Sequence, residues 1–590
     1  MIFADRIDIL SEMKKKGLVR NDAAVNIAEF LCGLEQNLSK DEKQTLAAAS
    51  ALLSEWVSSG SICITKDDIK TFIKTNRETF SETAFPDWEE IKKVMTKSSC
   101  CTNDPENEQK PIVFAGDRIY FYKYWLYEDS LAAKVLKISK NKGRYADHAA
   151  EIKVVLEKLF DEDAKKYGNK NIEQQKAAET VIKNRFSVIT GGPGTGKTTT
   201  VAKILAGILS VCPETRVILA APTGKAAARM TEALIAATGK MEKSGQTVDT
   251  ETLGKIKSIE GQTVHRVLGW KFGEPEKNGR NPITADLIII DEASMVDIAM
   301  FSNLIDALSE ETSLILLGDK DQLASVDVGN VLADICASRE LLPEGTVSEL
   351  KTSHRFEKHP AIGRLAEAVN GHKIADEVIK ICKDETDLDF TKKTVQKIVD
   401  QAKENYGFLS DTTLKPEEIL ERLDSFKILC PSKEDSFGVV KLNEAIEKVL
   451  GKDGSDDFYN GRPVMVTKND YANTGLVNGD CGVILGNRAC FKTDGVVKEF
   501  PVSALPAVET VYAMTIHKSQ GSEYDSVLVV LPEKEMPMLT KELLYTAITR
   551  AKKKVEISAK ESVLEYTLKN SAARNSGFEN ALKKLKTPNE

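Results

Sequence analysis

Nowhere in the 590 residues does an uninterrupted apolar run reach the length needed to cross a bilayer, which excludes a membrane-spanning helix. The opening segment, Met1-Ile-Phe-Ala-Asp-Arg-Ile-Asp8, carries charge too early for a secretory signal, so a cytoplasmic protein is expected. The ten cysteines lack framework spacing and are expected to be reduced thiols. Cys100 and Cys101 are adjacent, unlike a chelating C-x-x-C pair, so no zinc or iron–sulfur site is expected. A basic excess is missing too: 81 Lys and Arg stand against 89 Asp and Glu, a net charge of −8. The whole chain therefore lacks the basic footprint of many nucleic-acid binders, although a local basic channel can sit in an acidic protein. Internal repeats and low-complexity blocks are absent, which excludes a repeat architecture. The length exceeds what one hydrophobic core supports, so several domains are expected.

What is present centres on residues 191 to 198, Gly-Gly-Pro-Gly-Thr-Gly-Lys-Thr. The pattern G-x-x-x-x-G-K-[ST] forms a loop whose backbone N–H groups wrap nucleotide phosphates. The β-leaning run Phe186–Thr190 precedes it, and a helix-forming run, Thr199 to Leu209, follows. That is the strand–loop–helix setting the loop needs. The candidate nucleotide contacts are Gly191, Gly192, Pro193, Gly194, Thr195, Gly196, Lys197, Thr198 and Thr199. Lys197 is expected to reach the outer phosphates and Thr198 to hold Mg²⁺, so ATP and Mg²⁺ are the expected cofactors.

Leu287-Ile-Ile-Ile-Asp-Glu-Ala-Ser294 is an apolar strand ending in two acids. Downstream of a phosphate loop, Asp291 suits a metal ligand and Glu292 a general base. A solvated strand end has the same pattern, and only the context favours the first reading. Leu314-Ile-Leu-Leu-Gly-Asp-Lys-Asp-Gln322 is a second buried strand emptying into a polar loop. Its amide Gln322 can sense a γ-phosphate, while Gly318 and Asp319 suit the bend. Arg355 and Arg550 are candidate arginine fingers, although either alone reads as a surface or salt-bridge residue.

Along the chain, residues 1–140 read as a separate module. Ser39-Lys-Asp-Glu42 is a capping box opening a helix that ends near Gly60. A strand at 62–65, two strands around a Gly116-Asp117 turn and a helix from near Glu128 follow, then a linker at Lys140 to Tyr145. Residues 150–355 alternate apolar strands with helices, the mark of a parallel sheet covered on both faces. Its strands are Phe186–Thr190, Val217–Ala221, Leu287–Ile290 and Leu314–Leu317. Residues 356–590 hold a second such set, with strands at Lys427–Leu429, Ser526–Leu531 and Lys554–Ile557. A β-rich insert lies at about 457–510, and the tail after Asn570 reads as a solvated helix end.

Assembled, these segments resemble superfamily 1 helicases, and among them the RecD family. Gln175, with Ala178, resembles the adenine-reading Q motif, and Gly191–Thr198 is motif I. Ala220–Arg229 resembles motif Ia, Thr263–Gly269 motif Ib, Asp291–Met295 motif II and Gly318–Leu323 motif III. Ser353–Phe356, Ala513–Glu523 and Tyr545–Ala551 match motifs IV, V and VI. Leu46–Leu53 and Gly116–Tyr120 resemble the amino-terminal domain of the same family, the α subunit of RecBCD (exonuclease V).

The resemblance implies an α/β fold: two RecA-like P-loop motor domains, 1A (150–355) and 2A (356–590), a small SH3-like 2B insert and a mainly helical, partner-binding N-terminal domain. Residues 270–283 would be a 1B pin hairpin. ATP would sit between the motors, with Arg355 and Arg550 reaching across from the second and Glu523 also at the nucleotide. Thr223, Lys225, His265, Thr515 and His517 would lie on or near DNA; outside these motifs, the two histidines read as structural. The implied function is a 5′-to-3′ DNA helicase and translocase within a RecBCD-type helicase–nuclease for double-strand break repair by recombination. Its implied partners are single-stranded DNA, duplex ends, and RecB-like and RecC-like subunits. A stand-alone helicase or an ATP-binding structural subunit are the alternatives. The sequence shows no nuclease constellation of paired acids with a lysine.

Overall fold

The computed structural model describes residues 8–77, 85–167, 171–244, 247–371, 373–452, 457–470, 472–493 and 495–586. The charged opening segment lies outside them, apart from Asp8.

Six strands form a first sheet: β1 (Phe186–Gly191), β2 (Val217–Ala221), β3 (Gly261–Thr263), β4 (Leu287–Ile290), β5 (Ser313–Gly318) and β6 (Val347–Leu350). They lie in the order β6-β1-β5-β4-β2-β3, every neighbour parallel. Strands β1, β4 and β5 are buried throughout, as near-continuous apolar runs covered on both faces should be. Alternate residues serve two cores. Val188, Leu314 and Leu316 pack on one face, and Ile189, Ile315 and Leu317 on the other with Ile204 and Leu205 of the helix Lys197–Val211.

The second sheet comprises β7 (Leu388–Phe390), β8 (Phe426–Cys430), β9 (Ala513–Thr515), β10 (Tyr524–Val530) and β11 (Ala551–Ser558). Its order is β7-β11-β10-β8-β9, again all parallel. Strand β11 starts earlier than the sequence suggests and carries Lys552, Lys553 and Lys554 as exposed strand residues.

Between β8 and β9 lies an antiparallel five-stranded sheet, Pro463–Val466, Cys481–Leu485, Arg488–Thr493, Val496–Pro501 and Val508–Thr510. It has its own small core around Val464, Ile484 and Phe491. The segment 270–283 does not form a two-stranded hairpin. It holds only isolated bridges, Lys271 to Glu274 and Asn278 to Asn281, because its Gly, Pro and Asn residues favour tight turns over strands.

At the N-terminus the capping box forms as read: the Ser39 hydroxyl accepts from the Glu42 N–H at 3.3 Å, and Glu42 accepts from the Ser39 N–H at 3.0 Å. The strands Ile112–Ala115 and Arg118–Phe121 flank Gly116, whose φ of +63° suits glycine. The next helix begins at Tyr122, not near Glu128. Its aromatic first turn has strand-like composition. Its buried residues Leu131, Val135 and Leu136 belong to the core of the first parallel sheet. Tyr122, Tyr124, Trp125 and Tyr127 lie half-buried against that same core.

The C-terminal tail is not a solvated end. It leaves the second sheet and returns to the first lobe and the N-terminal module. Arg574 donates to Ser325, Asp327 and Gly329, and the Asn575 carbonyl accepts from the Ile62 N–H at 2.9 Å. The helix Phe578–Lys586 then buries Phe578 and Leu582 in the first sheet's core.

Candidate nucleotide site at the seam of two parallel sheets

Strand β1 ends at Gly191, and the chain turns through the glycine-rich loop into the helix at Lys197. Two glycines are sterically required. Gly194 (φ +77°) leaves no room for a side chain, since a Cβ there would fall 2.2 Å from the Arg355 Cβ. A Cβ on Gly196 (φ +82°) would fall 2.6 Å from the Gln174 amide nitrogen. Gln174 donates to the Thr195 carbonyl at 2.8 Å and so braces the loop from outside. The Lys197 ammonium folds back onto the loop, donating to the carbonyls of Gly191 at 2.5 Å and Gly192 at 3.2 Å.

Strand β4, adjacent to β5 in the sheet, delivers Asp291 and Glu292 to the same edge. Burial, with Glu292 next to it, pushes the Asp291 carboxyl up to about 6 against the opposing charge of Lys197. Glu292 has φ +50°, a left-handed conformation that costs about 1–3 kcal/mol outside glycine. Such strain persists where surrounding structure holds it, and here it turns the carboxylate out of the strand line. Strand β5 delivers the loop with Asp319 and Gln322, and the Gln322 amide donates to Asp319 Oδ2 at 3.1 Å.

From the second lobe comes Arg550, buried at the end of the helix Lys541–Ile548 and donating from Nε to the Thr546 carbonyl at 3.1 Å. Burial lowers the Arg550 pKa while the Glu292 charge opposes that shift, which places guanidinium and carboxylate in each other's field. Arg355 differs from expectation. Its backbone is pinned to the phosphate loop, with the His354 N–H donating to the Gly194 carbonyl at 2.9 Å and the Ser353 hydroxyl to the Pro193 carbonyl at 2.8 Å. From that crossover its guanidinium reaches towards the second lobe, to Glu523 and the Thr549 carbonyl. It therefore starts on the loop side of the seam, because the chain is still leaving β6 there. Burial raises the Glu523 pKa, but Arg355, Arg229, Lys552 and Arg550 outweigh it and hold the carboxyl below its ordinary value.

These groups enclose a cavity of about 550 Å³ lined by residues 193–199, Arg229, Asp291, Glu292, Asp319, Gln322, Arg355, Glu523 and Arg550. Gly191 and Gly192 line a neighbouring cavity of about 650 Å³ on the other side of the loop. Gln175 does not reach the loop; its amide is held by Glu179 on its own helix at 3.1 Å. Gln174, one residue earlier, makes that contact.

The five DNA candidates lie away from this cavity. Thr223 caps the helix Gly224–Ser244, accepting from the Ala226 N–H at 3.2 Å. Lys225 donates to the Gly479 carbonyl of the antiparallel insert at 2.8 Å. His265 is exposed, edge-on to Trp270 with ring centroids 5.2 Å apart. Thr515 is buried and accepts from the Lys518 N–H at 3.3 Å. His517 is half-buried, its pKa lowered by burial and by the Arg574 charge.

Sequence reasoning gave no role here to Gln174, Arg229 or Tyr545, and read Asp319 only as a bend residue. Arg229 and Tyr545 stand inside matched motifs, but their pattern does not say which way they face.

Residues 174–328 match the AAA domain family, residues 510–557 the UvrD-like helicase C-terminal domain, and residues 16–120 the N-terminal domain of RecBCD enzyme subunit RecD. The RecBCD enzyme subunit RecD of Mycobacterium tuberculosis is 33% identical over 605 residues, covering 97% of this chain and 98% of that protein. Its counterpart from Haemophilus influenzae is 33% identical over 82% of this chain and 83% of its own length. The ATP-dependent RecD2 DNA helicase of Deinococcus radiodurans is 31% identical, but the match spans 64% of this chain and 48% of that protein. The chain belongs to the RecD family of RecBCD enzyme subunits.

Proposed function

We propose that this chain is an ATP-driven 5′-to-3′ DNA helicase, the motor subunit of a RecBCD-type helicase–nuclease acting in double-strand break repair by recombination. One observation carries the motor reading: a phosphate loop, two acids and two arginines meet in a single cavity at the seam of two parallel sheets. The near end-to-end match with RecD subunits, against about half of the RecD2 helicase, favours the subunit over the free enzyme. RecB-like and RecC-like subunits, single-stranded DNA and duplex ends are its partners in this reading, and the cytoplasm its compartment. Among the described residues no helix is long and apolar enough to cross a membrane.

In this reading residues 150–355 are motor domain 1A, 356–590 motor domain 2A with its insert as 2B, and 1–140 the partner-binding module. Lys197 exchanges its two loop carbonyls for phosphate oxygens when ATP arrives. Glu292 takes the proton from the attacking water as the bond from the γ-phosphorus to ADP breaks. Arg355 and Arg550 stabilise the charge developing on the transferred group, and Gln322 senses the γ-phosphate. The hard oxygen donors Thr198 and Asp291 fit Mg²⁺, and Asp291 is a half-buried carboxylate lining the cavity beside Glu292. Bound there, the ion would neutralise phosphate charge. Because the cavity is completed from both lobes, filling and emptying it would close and open the seam. Thr223, Lys225 and His265 on one lobe, and Thr515 and His517 on the other, would then grip single-stranded DNA in alternation.

The test is Lys197→Gln in the assembled complex. DNA-stimulated ATPase should vanish while co-purification with the partner subunits persists. Continued turnover would refute the site. Strand separation on 5′-tailed against 3′-tailed duplexes tests the polarity.

A further inference from the structure

The first lobe's β5 loop and the second lobe's helix Lys541–Ile548 meet at one buried carboxylate. Asp319 is 2% exposed, and its Oδ2 accepts two hydrogen bonds. One comes from Gln322 Nε2 at 3.1 Å, within its own loop. The other comes from the Tyr545 hydroxyl at 3.1 Å, across the seam. The other oxygen, Oδ1, accepts from the Asp321 N–H at 3.0 Å. The Tyr545 ring is buried and its hydroxyl lies against the phosphate loop: a Cβ on Gly192 would fall 3.0 Å from it. Nearby, the Leu323 N–H donates to the Thr546 hydroxyl at 3.0 Å, so the loop is gripped by two adjacent residues of one helix turn.

We infer that Tyr545 is a positioning residue for ATP hydrolysis, fixing the Gln322 amide through Asp319 only while the second lobe is seated against the first. The inference rests on the proposed role of Gln322 at the γ-phosphate. The chemistry is directional. Burial raises the Asp319 pKa and the Lys197 charge opposes it; with Oδ1 and Oδ2 both accepting, the carboxyl dictates that Gln322 turns its NH₂ towards it. One N–H and the carbonyl oxygen then remain for the phosphate and water in the cavity that Gln322 lines. Tyr545 donates to the same Oδ2, so it holds the carboxyl in the rotamer that orients Gln322. If the lobes part, the phenol leaves with the second lobe. Asp319 then loses its cross-seam restraint, and Gln322 its fixed orientation. Hydrolysis would thus be tied to lobe position by a path separate from the arginines. Lys197 and the other groups facing Asp319 belong to the first lobe, whereas Tyr545 carries information about the second.

The experiment uses Tyr545→Phe, Asp319→Asn, the double variant and Gln322→Ala in the full chain within its complex, with steady-state ATPase measured with and without single-stranded DNA. Tyr545→Phe keeps the buried ring and removes one hydroxyl. Its kcat with DNA should fall about tenfold, the scale of one hydrogen bond, with the KM for ATP within about twofold. The double variant should be no slower than Asp319→Asn alone, because both act through one carboxylate. A purely structural loss would instead move thermal stability and KM together. Full DNA-stimulated kcat in Tyr545→Phe, or losses that multiply in the double variant, would overturn the inference while a slowed Gln322→Ala leaves the motor reading intact. Full activity in Gln322→Ala would remove the residue to be positioned and overturn this inference together with the proposed role of Gln322.

Discussion

The C-terminal strap offers the most direct measurement of how the lobes are joined. Arg574 puts one guanidinium onto the loop that follows Gln322. Its Nη1 donates to the Gly329 carbonyl at 2.7 Å, to the Ser325 hydroxyl at 3.2 Å and to the Asp327 carbonyl, and its Nη2 donates to the Ser325 carbonyl. Gly60 leaves the space: a Cβ there would lie 2.5 Å from the guanidinium carbon. Arg574→Lys keeps the charge but loses the planar fork that serves several acceptors at once. Nη1 has two protons for its three acceptors, so at about 1.5–3 kcal/mol for each charge-assisted hydrogen bond three full bonds suggest a gross loss of roughly 4.5–9 kcal/mol. Two effects reduce it. Burial lowers the Arg574 pKa, with only Asp327 and Asp334 opposing, so part of the gross energy offsets desolvation of the charge. The lysine also recovers one or two of the acceptors. A net cost of about 3 kcal/mol remains, which is about a hundredfold in an opening equilibrium.

In a chain of several domains the global unfolding midpoint is a poor reporter. Hydrogen exchange on the Phe578–Lys586 helix is a better one. Its amides should exchange about a hundredfold faster in Arg574→Lys, while those of the helix Lys197–Val211 stay unchanged. Equal protection in variant and wild type would show that Phe578 and Leu582 hold the strap alone and that the guanidinium contributes nothing net.

Asp334 supplies a pH dependence. Burial, reinforced by the Glu128 carboxylate and opposed by Ser576 and Arg574, pushes it up to about 8. An unfolded aspartate titrates near 4. Between these values the folded chain holds a proton that the unfolded chain has released, so this group's contribution to stability falls as pH rises through that window. Asp334→Asn should therefore gain stability over wild type progressively from pH 5 to pH 8, by at most about 1.4 kcal/mol per pH unit, read from hydrogen exchange on its own helix, Val331–Ala337; a pH-independent difference would contradict the assignment. Deleting residues 1–140 should cost more than partner binding, because it strips Leu131, Val135 and Leu136 from the first sheet's core. The truncated chain should lose nucleotide binding as well as co-purification with its partners, and intact nucleotide affinity would show that the helix Tyr122–Lys140 is dispensable to that lobe.

What could be read from the sequence follows the reach of the interactions. The phosphate loop and the acids of β4 are local: an apolar strand must end somewhere, and charged residues at its end are visible in one stretch of chain. The strands with both faces buried were legible for the same reason. The helix start at Tyr122 was not, because an aromatic run has strand-like composition and only packing against the first lobe decides between the two. Gln174 and Gln175 are neighbours of one residue type on one helix, and which of them meets the loop depends on rotational phase. The path of Arg355 was misplaced because a motif gives the residue and not the side of a hinge from which it starts. The strap was invisible in principle. Arg574 finds three of its four acceptors in backbone carbonyls far away in sequence, and backbone carbonyls carry no residue signature.

These long-range contacts converge on one stretch, residues 319–329. Tyr545 holds Asp319, Thr546 and Gln520 hold the backbone of Leu323, and Arg574 holds Ser325, Asp327 and Gly329. All four grips come from residues beyond β9, and the stretch itself belongs to the first lobe, running on from β5. One end of it, Gln322, lines the nucleotide cavity; the other lies under the strap. The lobes therefore cannot part at the cavity while this stretch stays bound along its whole length. Either the stretch travels with the second lobe and deforms at Gly318 and Gly329, or the grips break in sequence. Gly329 has φ +98° and a Cβ there would fall 3.1 Å from Ile298, so the far end is boxed in. The Tyr545 and Gln322 contacts to Asp319 are single but fully buried hydrogen bonds, whereas Arg574 meets four acceptors that are part-buried or exposed. The two ends of the stretch are thus held by different means: few but desolvated contacts beside the nucleotide cavity, several partly solvated ones under the strap.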